Sequence, residues 1–219
     1  MEEEKKFNRI LELINTDIRK AVTETNKLDP KSRDRLKHFL AHSTLHTESA
    51  RYRGRVIEVS IYLELTLAQI LSNYFAKKDK IELLNSIVFD RMDLQRKLNT
   101  LKSILKLEHA SIWKKELQNI KKIDTLISFR NNLAHSVLNS SPEYLKKISE
   151  KVGLLSSKGI VANHLDEIEL GFYENNNWVY KKIKWSEIEE YHREIYNAIG
   201  KIQSIRKQIT PDYEPTSSD

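Results

Sequence analysis

The chain has 219 residues, with 37 Lys and Arg against 31 Asp and Glu, five Gly, four Pro and no Cys. Glycine and proline fall far below their usual share of about 12%, which leaves too few turn formers for a many-stranded β-sandwich or a collagen-like chain, so a mostly helical protein is expected. The missing cysteine removes disulfides, thiolate metal ligands and cysteine nucleophiles together. The net charge of +6 suits an anionic partner such as nucleic acid, yet the near-matched anions suit solvated helix faces equally well.

In chain order, Phe7, Ile10, Leu11, Ile14, Ile18, Ala21 and Val22 follow a helical stripe that predicts a first helix over residues 4–28. Asp29-Pro30 reads as an N-cap followed by a proline at the first helical position, opening a second helix through Leu36, Phe39 and Leu40. That helix either stops near Ser43 or bends into the next. A long central helix is predicted over 51–76, with Ile57, Ile61, Ala68, Leu71 and Phe75 as its apolar stripe and Glu64 at the position completing it. A short helix over 81–89 and another marked by Leu94, Leu98, Leu101 and Leu105 follow. The next, from about Ser111, carries Trp113, Leu117, Ile120, Ile123 and Ile127 and runs directly into Arg130-Asn131-Asn132-Leu133-Ala134-His135.

Beyond that junction, Ser141-Pro142-Glu143 reads as a cap and helix start, and Gly153 and Gly159 bracket a loop. Residues 167–173 and 178–184 alternate as strands around Asn175-Asn176-Asn177, a hairpin that must pack on helices. Ser186 to Glu189 forms a capping box for a last helix carrying Ile188, Tyr191, Ile195, Ile199 and Ile202. The expected organisation is N-terminal helices over 1–50, a helical domain over 51–210 that includes the hairpin 167–184, and a polar tail over 211–219. No stretch approaches the ~18 uninterrupted apolar residues of a membrane span, and Met1 to Lys6 has no apolar core of a signal peptide. A cytoplasmic chain with no membrane partner is therefore expected.

An Arg five places before a His is a cheap pattern, since Arg33 and His38 share it. Context separates the two pairs. Arg33 lies in a charge-rich segment, whereas Arg130 follows the apolar run 123–129 and is followed by two asparagines. Continuing the stripe of Ile120, Ile123 and Ile127 lands on Arg130 and then Ala134, so the guanidinium is expected to point inward or towards an interface, where it needs a carboxylate or a bound anion. Asn131 and His135 share a face, while Arg130 and His135 diverge by about 140° in an unbroken helix. Both reach one substrate only if the last turn loosens or a second subunit completes the pocket.

This hexapeptide, on its helix and after the 61–75 segment, resembles the HEPN domain superfamily, whose mark is Arg, four to six residues beginning with a polar one, then His. The resemblance implies an all-α, HEPN-like helical bundle, here with a small C-terminal β-hairpin and a final helix. It implies a homodimeric, metal-independent endoribonuclease without cofactors, of the kind found as toxins or antiviral defence effectors, with RNA as substrate and an antitoxin or defence protein as a further partner. Arg130 and His135 would be the catalytic pair, Asn131 the residue that orients them, and Glu64 and Asn132 supporting residues. Nucleotidyltransferase-partnered toxins of the superfamily have a tyrosine two places after the His; here that place is Val137, which argues against an antitoxin acting by modification of that tyrosine. The chemistry suits the residues. RNA carries its own nucleophile, so a base that takes the 2′-OH proton and a cation that holds the phosphate suffice, giving a 2′,3′-cyclic phosphate.

Three other features have two readings each. Glu64 is either a buried carboxylate paired with Arg130, the only inward arginine the pattern nominates, or lies at the edge of a rotated stripe. His38, His42 and His46 recur on one helical face, but the outer two stand about 12 Å apart and one metal ion cannot use all three, so a solvated or interface face is the simpler reading. Basic clusters at Arg51, Arg53 and Arg55, at Arg91, Arg96 and Lys97, and at Lys114, Lys115, Lys121 and Lys122 either steer phosphates or coat the surface. The alternative to a nuclease is a non-catalytic helical module that binds a partner protein or nucleotide.

Overall fold

The structure is a computed structural model and describes residues 2–16, 18–157 and 165–210. It is mostly helical, with a small antiparallel sheet and a C-terminal helix: α1 (Glu2–Thr16), α2 (Ile18–Thr25), α3 (Pro30–Phe75), α4 (Ile81–Ile87), α5 (Leu94–Glu108), α6 (Ala110–Ala134), β1 (Val137–Leu138), α7 (Pro142–Ser157), β2 (Glu167–Glu174), β3 (Asn177–Lys184) and α8 (Trp185–Ile209). No helix among the described residues is long and apolar enough to cross a membrane. The chain divides into two compact units, one made of Met1–Tyr52 with Ser136–Trp185, the other of Arg53–His135 with Ser186–Asp219. The hairpin thus groups with the first fifty-two residues.

In the first unit the stretch read as one helix over 4–28 forms two, α1 and α2. Ile10, Leu28 and Leu36 form a buried cluster against which Leu40 packs. Asp29 caps α3 as expected, its Oδ1 accepting the Ser32 N–H at 3.0 Å with Pro30 at the first helical position. A hydrogen bond from the Ser32 side chain, with this backbone bond, holds the Asp29 carboxyl below its ordinary value. The helix does not break after Ser43, because residues 44–53 contain neither Gly nor Pro and bury Leu45, Glu48, Ser49 and Tyr52 at helical spacing, and it continues through Gly54.

Glu48 is fully buried and matched: its Oε2 accepts from Arg51 Nε, Arg51 Nη2 and the Leu165 N–H. Tyr52 donates to the Leu165 carbonyl at 2.9 Å, and the Arg51 guanidinium lies 3.8 Å over the Trp185 ring. These bonds fix the start of β2.

The sheet has the order β1-β2-β3, all antiparallel. Ile168, Leu170 and Phe172 of β2 alternate into the core. Asn175 and Asn176 carry the turn with φ of 49° and 63°, the left-handed pair that a two-residue type I′ hairpin requires and asparagine tolerates. Asn177 already belongs to β3. Strand β1 went unread because two residues carry no alternation. Ser141 caps α7 through the Tyr144 N–H at 3.3 Å, but Gly153 lies inside that helix rather than at a loop edge, and Gly159 lies outside the described residues, as does the tail 211–219. The last helix begins at Trp185, whose N–H donates to the Asp166 carbonyl at 2.8 Å, so Ser186 sits in the first turn instead of capping it. The strand runs directly into the helix.

The second unit is built from residues 53–75 of α3 with α4, α5, α6 and α8. Contacts fix the directions. Glu64 meets Lys97 and Tyr74 meets Glu108, so α3 and α5 are parallel. Ser60 meets Tyr191 and Tyr62 stacks near Tyr196, so α3 and α8 are parallel; Phe129 packs on Tyr191 and Lys122 pairs with Glu194, so α6 runs opposite to α8. Val56, Leu63, Leu67 and Leu71 of α3 are buried, as are Leu98, Leu101 and Leu105 of α5, Ile120, Ile123 and Ile127 of α6, and Ile188, Ile195 and Ile202 of α8. The expected α3 stripe holds at Ala68 and Leu71, which are buried, but Ile61 and Phe75 are about half exposed, and the buried line also runs through Val56, Val59, Leu63, Leu67 and Ile70.

Candidate active site

The last two turns of α6 set the site. Ile123, Leu126 and Ile127 are buried, and the helical repeat then brings Arg130 to a half-buried position, as the stripe implied. Arg130 Nη1 donates to Asn131 Oδ1 at 2.9 Å. Its Nε is buried and has no partner, and no carboxylate pairs with Arg130 among the described residues. Asn131 is half-buried, Asn132 exposed and His135 exposed.

The helix ends at Ala134, and His135 is its C-cap with φ −98° and ψ 2°. Its N–H still bonds the Asn131 carbonyl at 3.1 Å, so the chain leaves the helical path only after His135. The helical hydrogen bonding thus reaches His135, and a helix turns residues five apart by about 140°. Loosening within one chain does not bring the pair together.

Around Arg130 the second unit supplies groups that the sequence reading had left in the core. Tyr191 of α8 packs on Phe129 with ring centroids 5.2 Å apart, and its hydroxyl shares a 2.7 Å hydrogen bond with Ser60 Oγ, which in turn donates to the Val56 carbonyl. Burial pushes the Tyr191 phenol up to about 12, against the pull of the Ser60 bond and the Arg130 charge. A neutral, hydrogen-bonded phenol beside a guanidinium leaves the cation uncompensated. Tyr191 was visible in the stripe of the last helix, but nothing in the pattern marked it as a neighbour of Arg130.

No family model, no curated protein and no solved structure matches the chain.

Glu64 belongs elsewhere. Its Oε1 accepts from Lys97 Nζ at 2.7 Å, so the carboxylate assigned beneath Arg130 pairs with a lysine of α5 instead. His38, His42 and His46 do share one face of α3; all three are exposed, with the His42 and His46 rings 4.5 Å apart, and no group of three or more His, Asp or Glu fit to hold a metal occurs among the described residues. Much of the basic clusters is locally matched: Arg51 by Glu48, Arg55 by Glu58, Arg96 by Asp93, Lys97 by Glu64 and Lys122 by Glu194. Arg130 stands apart from these in having no such partner, and Arg53 shares that property.

Proposed function

We propose that the second unit is a HEPN-type domain and that the protein is an endoribonuclease that needs no metal, of the toxin or antiviral-effector kind. One observation carries the reading: a half-buried guanidinium without a carboxylate, braced by Asn131, stands five residues before an exposed histidine at the helix end. Arg130 would hold the scissile phosphate and gain most as charge builds on its oxygens. His135 would take the 2′-OH proton as the O2′–P bond forms; the P–O5′ bond breaks, an imidazolium returns a proton to the leaving oxygen, and a 2′,3′-cyclic phosphate and a 5′-hydroxyl result. Because Arg130 and His135 of one chain diverge, the working site pairs Arg130 of one copy with His135 of a second, in a homodimer.

The test is cleavage of unmodified RNA by the native chain and by Arg130→Ala and His135→Ala, with analysis of the product ends. Each substitution should lower the rate by on the order of 10² to 10⁴-fold, and equal cleavage by all three would refute the reading. A second reading, a non-catalytic module that binds a partner protein or nucleotide, is favoured by an open groove of about 620 Å³ bordered by Tyr62, Leu65 and Tyr196, each about half exposed. Toxicity on expression that His135→Ala relieves supports the nuclease; toxicity indifferent to that change supports the binding module.

A further inference from the structure

Arg53, like Arg130, is a cation of the second unit with a buried, unpartnered Nε. It lies between Arg51, matched by Glu48, and Arg55, matched by Glu58, yet its side chain is half-buried with a buried, unpartnered Nε and has no hydrogen-bond, ion-pair or ring partner among the described residues. Burial alone acts on it, pulling its pKa below the ordinary value. A guanidinium stays charged under such a pull, so the desolvation it suffers is offset only when an anion arrives.

Its position relates it to Arg130. Arg53 is seven residues before Ser60, two turns of α3, and so lies on the same face about 10.5 Å along the axis. Ser60 bonds the Tyr191 hydroxyl, and Tyr191 packs on Phe129 and senses the Arg130 charge. Since α6 runs opposite to α8 and hence to α3, the five residues from Arg130 to His135 advance about 7.5 Å towards the Arg53 end. Along the bundle axis Arg53 therefore stands about 10.5 Å from the level of Arg130, and both guanidiniums lack a carboxylate among the described residues. A strand that advances 3.4 Å or more per nucleotide bridges that span with roughly one to three nucleotides.

We propose that Arg53 is a second phosphate-binding residue of the same site, gripping an RNA phosphate one to three nucleotides from the one held by Arg130. This rests on the ribonuclease reading for its substrate class.

The experiment is equilibrium binding of a short, fully 2′-O-methylated, fluorescein-labelled single-stranded RNA to the full chain, by anisotropy over a series of salt concentrations. Methylation removes the nucleophile, so binding is read without cleavage. Arg53→Ala and Arg53→Gln, with native circular dichroism, should weaken binding several-fold and reduce the slope of log affinity against log salt by about 0.7, the loss of one single-strand phosphate contact. Arg53→Lys should keep the slope. Native affinity and slope in the Ala and Gln variants, or failure of the native chain to bind this probe, would overturn the proposal. Arg53-dependent binding by a chain that leaves unmodified RNA uncut would instead refute the nuclease while the phosphate site stands.

Discussion

Removing either member of the Glu64–Lys97 pair should have very unequal effects. Lys97 is only 3% exposed while Glu64 retains 29%, and the two meet at 2.7 Å. Glu64→Gln leaves an ammonium buried with an amide oxygen as its remaining acceptor there, which should destabilise the fold by about 2–3 kcal/mol. Lys97→Met takes the buried charge away, keeps an apolar stem of similar length in the α5 core, and leaves a carboxylate that water reaches; about 1 kcal/mol or less is expected. For a chain of this size the Gln variant should melt roughly 4–12 °C below the native protein, with the Met variant well above it. Thermal and urea unfolding followed by far-ultraviolet circular dichroism reads both, and the double variant should resemble Lys97→Met. A Gln variant as stable as the Met variant, or more so, would refute the burial asymmetry.

Two further outcomes follow from the first unit and the buried phenols. A Cβ at Gly171 would meet Val137 Cγ2 at 2.8 Å and the Tyr180 ring at 3.0 Å, so Gly171→Ala should destabilise by about 1–3 kcal/mol and Val137→Ala should recover most of the loss, measured by urea unfolding. Burial pushes Tyr144 and Tyr191 up to about 12 and Tyr52 higher still. A folded value above the unfolded value near 10 means the stabilisation is complete below pH 10 and is lost as pH rises from there towards 12. Absorbance titration should show these three phenols ionising only as helicity falls; titration of all nine tyrosines near pH 10 with helicity intact would contradict it.

Residues that signal locally were legible in the sequence. Asp29-Pro30 and Ser141-Pro142 mark helix starts because a side-chain oxygen captures a free N–H there, and Asn175-Asn176 marks the turn because asparagine tolerates positive φ. What depends on the partner was not. The buried face of α3 departs from the expected stripe at Ile61 and Phe75 because the helix carries apolar residues on more than one side, and packing selects among them. Lys97 interrupts the leucines of α5 and reads as a surface lysine until Glu64 is found against it. Arg130 was legible because an apolar stripe leads to it; Arg53 was not, because a basic triplet looks uniform until the carboxylates that match its two neighbours are known.

The most direct test of the shared Arg130 and His135 site is to mix two inactive variants. Arg130→Ala and His135→Ala should each fail to cleave RNA alone. An equimolar mixture, allowed to exchange subunits, should regain about a quarter of native activity, since half of the dimers would be mixed and each would hold one intact pair. No recovery, or native cleavage by either variant alone, would contradict the composite site.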